Sequence, residues 1–114
     1  GVKMMKVKYS PRALEDLQKI RASIVEKFDS EKLAEKTLRK IMASIEGLEV
    51  FPYKGVELKS IIDVDTDYRY IFGQKNYVFY RIADEKVLII RVLNEKQDYM
   101  RILWGISEVE DDEE

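Results

Sequence analysis

The strongest constraint on the fold is the stretch 68–93, which reads YRYIFGQKNYVFYRIADEKVLIIRVL. It holds three apolar and aromatic runs, separated by short polar segments at residues 73–76 and 84–86. The runs are rich in Tyr, Phe, Val and Ile and contain no proline, which is the composition of β-strands joined by tight turns. The stretch therefore predicts a three-stranded antiparallel meander.

The two faces of this meander differ in character. Side chains alternate between the faces of a strand, and strict alternation gives each run one face that carries a single arginine, namely Arg69, Arg81 or Arg91. If the turns keep the register, the three arginines lie on the same side of the sheet. The simpler interpretation is that they cover a half-open face. The alternative is that this face binds an acidic or phosphate-bearing partner, because like charges on one face repel one another.

The segment before the meander predicts a strand followed by two helices. Residues 3–9 alternate apolar side chains with lysine, which is typical of a short strand. Ser10 and Pro11 are a helix-capping and a first-turn residue, and apolar residues then recur every three or four positions to about Phe28. A polar interruption separates this helix from a second amphipathic helix that ends near Leu48, and so short a loop predicts an antiparallel hairpin. The residues expected to pack the hairpin on the sheet are Leu17, Ile24, Leu38, Ile41 and Ile45.

The remaining segments complete an α+β fold: a strand, an antiparallel helix hairpin, a three-stranded antiparallel meander and a short C-terminal helix. Residues 53–67 are irregular, with a short extended piece expected within 58–64. Residues 97–104 predict the C-terminal helix, with Leu103 or Trp104 packing back on the domain. We expect one domain over residues 1–107 and a flexible acidic tail over residues 108–114.

Composition excludes several kinds of site. The chain has no cysteine and no histidine, so disulfides, thiolate chemistry and a histidine base are excluded, and we expect no metal and no cofactor. No apolar run is long enough to span a membrane, and none at the N-terminus fits a signal peptide, so we expect a cytoplasmic protein. Residues 108–114 hold six acids. Without them, 20 bases and 16 acids give a net charge of +4 in place of −2, a division that suggests an anionic partner.

Five segments follow one another along the chain: YSPRALEDLQKI, LEVFPYKG, YRYIF, NYVFYRIADEKVLIIRVL and NEKQDYMRIL. In this order and spacing, over about residues 5–104, they resemble the RelE/ParE superfamily of type II toxin–antitoxin toxins, also described as plasmid stabilisation proteins. It implies a small toxin that is neutralised by a co-expressed antitoxin protein. It leaves open whether the toxin forms a homodimer or a hetero-oligomer with the antitoxin.

The superfamily has two main branches with different targets. RelE-like members cut messenger RNA on the ribosome without a metal, which requires a base, a cation beside the phosphate and an acid. ParE-like members inhibit DNA gyrase. The RelE-like lysines, arginines and late tyrosine would fall near Arg69, Ile71, Tyr77, Gln97 and Leu103. Of these positions only Arg69 keeps a cation.

The resemblance therefore favours a ParE-like inhibitor of DNA gyrase, and the FPYKG and RVLN segments are also similar to the ParE-like branch. The alternative is a RelE-like, ribosome-dependent mRNA endonuclease. In that case the weak candidates for catalysis are Arg69, Arg81 and Tyr99. The basic residues that are candidates for binding the antitoxin or the target are Arg69, Arg81, Arg91, Lys96 and Arg101.

Overall fold

The computed structural model describes residues 4–106. In this part of the chain the strands are β1 Lys6–Tyr9, β2 Val56–Glu57, β3 Arg69–Gly73, β4 Asn76–Ala83 and β5 Lys86–Asn94. The α-helices are α1 Pro11–Phe28, α2 Glu31–Glu46 and α3 Tyr99–Trp104. The strands form one sheet in the order β1-β5-β4-β3-β2, in which β1 is parallel to β5 and the other pairs are antiparallel. The α+β class, the helix hairpin, the meander and the C-terminal helix are as predicted.

The acidic segment at residues 108–114 lies outside the described residues, so its predicted flexibility stays a prediction. Within residues 4–106, no helix combines the length and the apolar composition that crossing a membrane requires.

Both long helices begin at the predicted serine caps. The Ser10 hydroxyl accepts a hydrogen bond from the Ala13 amide, and the Ser30 hydroxyl accepts one from the Leu33 amide, both at 3.0 Å. These bonds satisfy amide groups that have no partner within the first helical turn. The second helix ends at Glu46, and a 3₁₀ turn then covers Gly47–Glu49.

The main core lies between the helix hairpin and one face of the sheet. Leu17, Ile41 and Ile45 are buried there as predicted, whereas Ile24 and Leu38 are only half-buried. The sheet contributes the following buried residues to this core: Val78, Tyr80, Val87, Ile89 and Val92. The hairpin therefore packs on the meander, as the apolar periodicity of the two helices indicated.

A second apolar cluster covers the opposite face of the sheet. Phe79, Leu93 and Leu58 are fully buried in it. The predicted contact of the C-terminal helix is confirmed, because both Leu103 and Trp104 pack against this cluster. The face is consequently less open than the sequence suggested.

The irregular segment before the meander differs from the prediction. Its extended piece is β2, at Val56–Glu57, and residues 58–60 form a 3₁₀ turn instead of a strand. Leu58 is fully buried under the second face, and its amide donates to the Tyr68 carbonyl at 3.0 Å. Burial of this one leucine turns the chain inward and ends the strand early.

Strand β5 contains a bulge that interrupts strict alternation. Tyr80 lies opposite Ile89 while Phe79 lies opposite Arg91, so Ile90 has no opposing residue in β4. As a result Ile89 and Val92, three positions apart, both face the helices. The prediction of strict alternation along this strand is therefore wrong beyond Ile89, since one inserted residue changes its phase.

Candidate functional site

Arg69 binds and stabilises the loop that follows the helix hairpin. Its Nη1 donates to the carbonyl oxygens of Tyr53 at 3.2 Å and Gly55 at 2.9 Å. Its Nη2 lies 3.5 Å from the carboxylate of Glu57, and the guanidinium carbon lies 5.1 Å from the centre of the Tyr53 ring. Arg69 is opposite Tyr80 in the register and therefore on the helix side of the sheet. This arginine binds the protein's own backbone.

Tyr80 fixes the same loop from the core. Its fully buried ring places the hydroxyl where it accepts from the Gly55 amide at 3.0 Å and donates to the Pro52 carbonyl at 2.7 Å. Burial raises the pKa of Tyr80 above its ordinary value. A Cβ at Gly55 would lie against this hydroxyl and 2.8 Å from the Tyr70 carbonyl oxygen. Only glycine fits there without a shift of the backbone.

Arg81 lies on the other face of the sheet, because it directly follows Tyr80. Its Nε and Nη2 bind the carboxylate of Asp67, with a shortest distance of 2.8 Å. Hydrogen bonding from Arg81 lowers the pKa of Asp67, and Asp67 raises the pKa of Arg81 in turn. The Arg81 and Asp67 side chains are 39% and 57% exposed, so solvent screens the pair and it contributes little to stability.

Arg91 forms an ion pair with a residue that the sequence did not single out. Its Nε and Nη2 donate to the two carboxylate oxygens of Asp16 at 2.8 and 2.9 Å. The Val92 amide also donates to Asp16, at 2.9 Å. Asp16 lies on α1 and is only 5% exposed. Its bond to the Val92 amide lies three residues beyond Ile89, where the pairing of β5 with β1 ends.

A signal for Asp16 was present in the sequence. It lies three residues after Ala13 and directly before Leu17, which is the buried side of the first helix. A carboxylate at such a position needs a cation and hydrogen-bond donors. The pattern alone could not say which of the chain's 20 basic residues would supply the cation.

The predicted arrangement of the three arginines is therefore wrong. Arg69 and Arg81 lie on opposite faces of the sheet, and Arg91 turns to the first helix. Each guanidinium has a carboxylate within 4.0 Å, so the three do not form a common face of uncompensated positive charge. Their roles in binding an antitoxin or a target stay predictions.

The remaining candidates lie at the C-terminal helix. The Tyr99 ring is centred 5.4 Å from Tyr77 and 5.1 Å from Phe79, on the face of the sheet opposite Arg69. Lys96 and Arg101 are exposed nearby. Tyr99 and Arg69 are therefore not brought together, whereas Lys96 and Arg101 remain available at the surface.

The part of the chain between residues 4 and 106 holds no group of three or more Asp and Glu side chains arranged to bind a metal ion.

Comparison with known proteins gives a consistent picture. The family described as the ParE toxin of the type II toxin–antitoxin system parDE matches residues 7–99. A search of curated proteins found no significant match. Among solved structures, the chain is similar to one from a chromosomal ParDE toxin–antitoxin system of P. aeruginosa. That similarity has a TM-score of 0.68 and 19% identity, and it covers 81% of this chain and 97% of the other.

A second similar structure comes from the toxin–antitoxin complex RelBE2 of Mycobacterium tuberculosis. It has a TM-score of 0.57 and 20% identity, and the match covers 80% of this chain and 98% of the other. At these identities the two structures show a shared fold, and the family match carries the assignment.

Proposed function

The chain belongs to the ParE toxin family of type II toxin–antitoxin systems, and from this we propose that it inhibits DNA gyrase and is neutralised by a cognate antitoxin. The proposal is of a toxin that acts by binding. It requires a surface that recognises the target and a partner that covers it, and it requires no bond-breaking residue in this chain.

The main support for a binding toxin over a ribonuclease is that the candidate catalytic side chains already contact other groups of the chain. Arg69 is occupied with two backbone carbonyls, and Arg81 is paired with Asp67. The Tyr99 ring packs on the sheet. A metal-free ribonuclease needs a base, a cation and an acid around one phosphate. These three residues are instead distributed over two faces of the sheet and have structural partners.

An antitoxin partner is supported by the family and by the origin of the two similar structures, one of which is a toxin–antitoxin complex. The exposed cations Lys96 and Arg101 stay the predicted contacts for the antitoxin or for gyrase. Exposed charges at the edge of an interface act mainly on the association rate and on the choice of partner.

Two assays on the purified protein test the proposal together. The first measures supercoiling of relaxed plasmid by gyrase, with and without the cognate antitoxin. The second measures translation in a cell-free system and maps message ends by primer extension. We expect the protein to inhibit supercoiling, the antitoxin to restore it, and the message to stay intact.

The alternatives give different results. Codon-linked cleavage of the message with unaffected supercoiling would replace the proposal with the RelE-like endonuclease. Antitoxin binding without either effect would leave a module whose only function is to bind the antitoxin.

A further inference from the structure

The face of the sheet opposite the helix hairpin is covered by the second apolar cluster at one end only. The other end carries side chains that alternate with residues of the main core and therefore point away from that core. This end is termed the basic half-face, and its members are Lys6 and Lys8 of β1, Lys86 and Leu88 of β5, and Arg81 of β4. Their strands are neighbours, with Lys6 beside Lys86 and with Leu88 between Lys8 and Arg81.

The lysines of the basic half-face have no ion-pair partner in the described part of the chain. Every ion pair within residues 4–106 uses an arginine as its cation. Lys6 and Lys86 are direct neighbours, and like charges side by side in a sheet are destabilising. A segment rich in carboxylates would relieve this repulsion.

The carboxylates nearest to these lysines act on other groups. Asp67 and Asp84 both act on Arg81, at the β4 side of the half-face, and Glu85 follows in the same turn. Glu46 and Glu49 act on Tyr9, whose ring packs toward the main core on the other side of the sheet. The positive charge of the half-face is therefore concentrated on β1 and the start of β5.

The described residues end close to this surface. The Trp104 ring, at the end of α3, is centred 5.7 Å from the Tyr68 ring. Tyr68 directly follows Asp67, whose carboxylate binds Arg81 at 2.8 Å. Gly105 then ends the helix in the left-handed conformation, with a φ of 72°. The chain beyond α3 therefore starts on the side of the sheet that carries the basic half-face.

The acidic segment at residues 108–114 has the charge and the length to cross that surface. It contains six acids and no base. The eight residues that follow Ile106 span at most about 26–29 Å when extended. The three steps from β3 to β1 cover only about 14 Å at the usual spacing of strands. The segment lies beyond residues 7–99, which the ParE family match covers.

We propose that the acidic segment lies across the basic half-face of its own molecule and competes there with anionic partners. Its carboxylates would face Lys6, Lys8 and Lys86. The contact joins exposed charges, so salt screens it and it adds little to the stability of the fold. Its effect comes from tethering, because a tethered segment has a high effective concentration that a partner must overcome. The inference does not depend on which target the toxin has.

The other basic surfaces suit the acidic segment less well. Lys59 lies in a cleft together with Glu57 and Asp67. The second helix carries cations beside Glu35 and Glu46, on the opposite side of the sheet from α3: Lys36, Arg39 and Lys40. Both surfaces already contain acids among their cations. The lysines of the half-face lie on the same side of the sheet as the end of α3.

Paramagnetic relaxation measured by NMR on the full chain tests the contact. The chain has no cysteine, so Glu114→Cys provides a single position for a nitroxide label. The amide signals of Lys6, Lys8 and Lys86 should broaden relative to a diamagnetic label, and the broadening should decrease at high salt. The amides of Lys19 and Lys27, two exposed residues of α1, are the internal control and should stay sharp.

A mixed sample shows whether the contact forms within one molecule. It combines isotope-labelled chain that carries no nitroxide with unlabelled chain that carries it. The signals of the basic half-face should stay sharp in this mixture. Broadening there would place the segment on a second copy of the chain and overturn the intramolecular contact.

Binding of a short heparin fragment, used as a polyanionic probe, tests the competition. Removal of residues 108–114 should tighten this binding by about fivefold at low salt, partly through net charge alone. In a chain with Lys6→Gln and Lys8→Gln, the gain from truncation should fall to about twofold, because the segment has lost its contact. The matched control, Lys19→Gln with Lys27→Gln, removes the same charge from α1 and should keep the fivefold gain. Circular dichroism checks the fold of each variant.

The results decide the proposal without reference to gyrase or to the antitoxin. Salt-sensitive broadening at the half-face, together with a smaller truncation gain in the Lys6 and Lys8 variant alone, supports it. Sharp signals at the half-face of the labelled chain, or the same truncation gain in both lysine variants, would show that the segment does not cover this surface.

Discussion

At the scale of single residues, Asp16 and Asp67 each form an ion pair with an arginine, but Asp16 is buried and Asp67 is exposed. The Asp16 carboxylate is buried and serves both the Arg91 guanidinium and the Val92 amide. Asp16→Ala would leave a half-buried cation and a buried amide without partners, and we expect it to lower the free energy of unfolding by about 3–5 kcal/mol. Asp67→Ala breaks the exposed pair with Arg81 and should cost no more than about 1 kcal/mol. Urea unfolding of both variants measures the difference, and equal losses would show that the buried pair has no special role.

Tyr80 makes stability depend on pH in the alkaline range. Burial raises its pKa above 10.0, so the folded chain holds the phenolic proton more tightly than the unfolded chain does. This contribution is fully present below about pH 10 and is lost as pH rises through the folded-state pKa. Burial, aided by Glu46 and Glu49, raises the pKa of Tyr9 in the same direction. Unfolding free energy should therefore fall as pH rises above about 10.

Tyr80→Phe is the test of that pH dependence. At pH 8 it should be less stable by about 1–3 kcal/mol, because the Gly55 amide and the Pro52 carbonyl lose their partner. Above about pH 10 its stability should fall less steeply than that of the wild type. Tyr9→Phe provides the comparison. An identical alkaline slope in all three proteins would assign the effect to other groups, such as lysine.

At the scale of elements, the second helix offers a neighbouring pair of residues in opposite environments. Ile41 is 3% exposed and Met42 is 37% exposed. Ile41→Ala should cost about 2–5 kcal/mol through lost burial and the cavity left behind. Met42→Ala should stay within about 0.5 kcal/mol of the wild type. Chemical unfolding of the two variants measures which face of the helix is buried, and a reversed order would mean that the hairpin packs through the other face.

The elements that could be predicted are those specified by local sequence. Serine caps, helical periodicity and alternating runs act within a few residues, and the structure places both long helices and the meander where these patterns put them. The bulge at Ile90 and the early end of β2 at Glu57 depend on contacts with distant residues. Such contacts leave no trace in a short window of sequence.

The candidate site, like the fold, could be predicted only in part. The identities of Arg69, Arg81 and Arg91 could be read from the alternation, but their partners could not. Each partner is at least 12 residues away along the chain, and the carboxylate of Asp16 lies 75 positions from Arg91. The assumption that the turns put all three arginines on one side gave a common positive face. The pairing of β3 with β4 instead sets Arg69 opposite Tyr80, on the face away from Arg81, and the carboxylate partners hold the three charges in separate places.

At the scale of the whole molecule, the sheet is covered on both sides, and charge is divided unevenly along the chain. Removal of residues 108–114 changes the net charge from −2 to +4. We expect the truncated protein to keep its free energy of unfolding within about 0.5 kcal/mol. It should also bind an anionic matrix more tightly at low salt, because the remaining surface is basic. Urea unfolding and cation-exchange elution measure the two effects, and marked destabilisation would show that the segment is part of the fold.

The bulge in β5 has a consequence for how the chain tolerates length changes. Removing one residue from the middle of a strand normally turns the rest of that strand inside out. Removing Ile90 would instead restore regular alternation, with Ile89 and Val92 still facing the helices. A chain lacking Ile90 should fold, as judged by circular dichroism and urea unfolding, and a chain lacking Val78 from the regular part of β4 should not. Relatives of this toxin could therefore differ in length at that position and keep the same core.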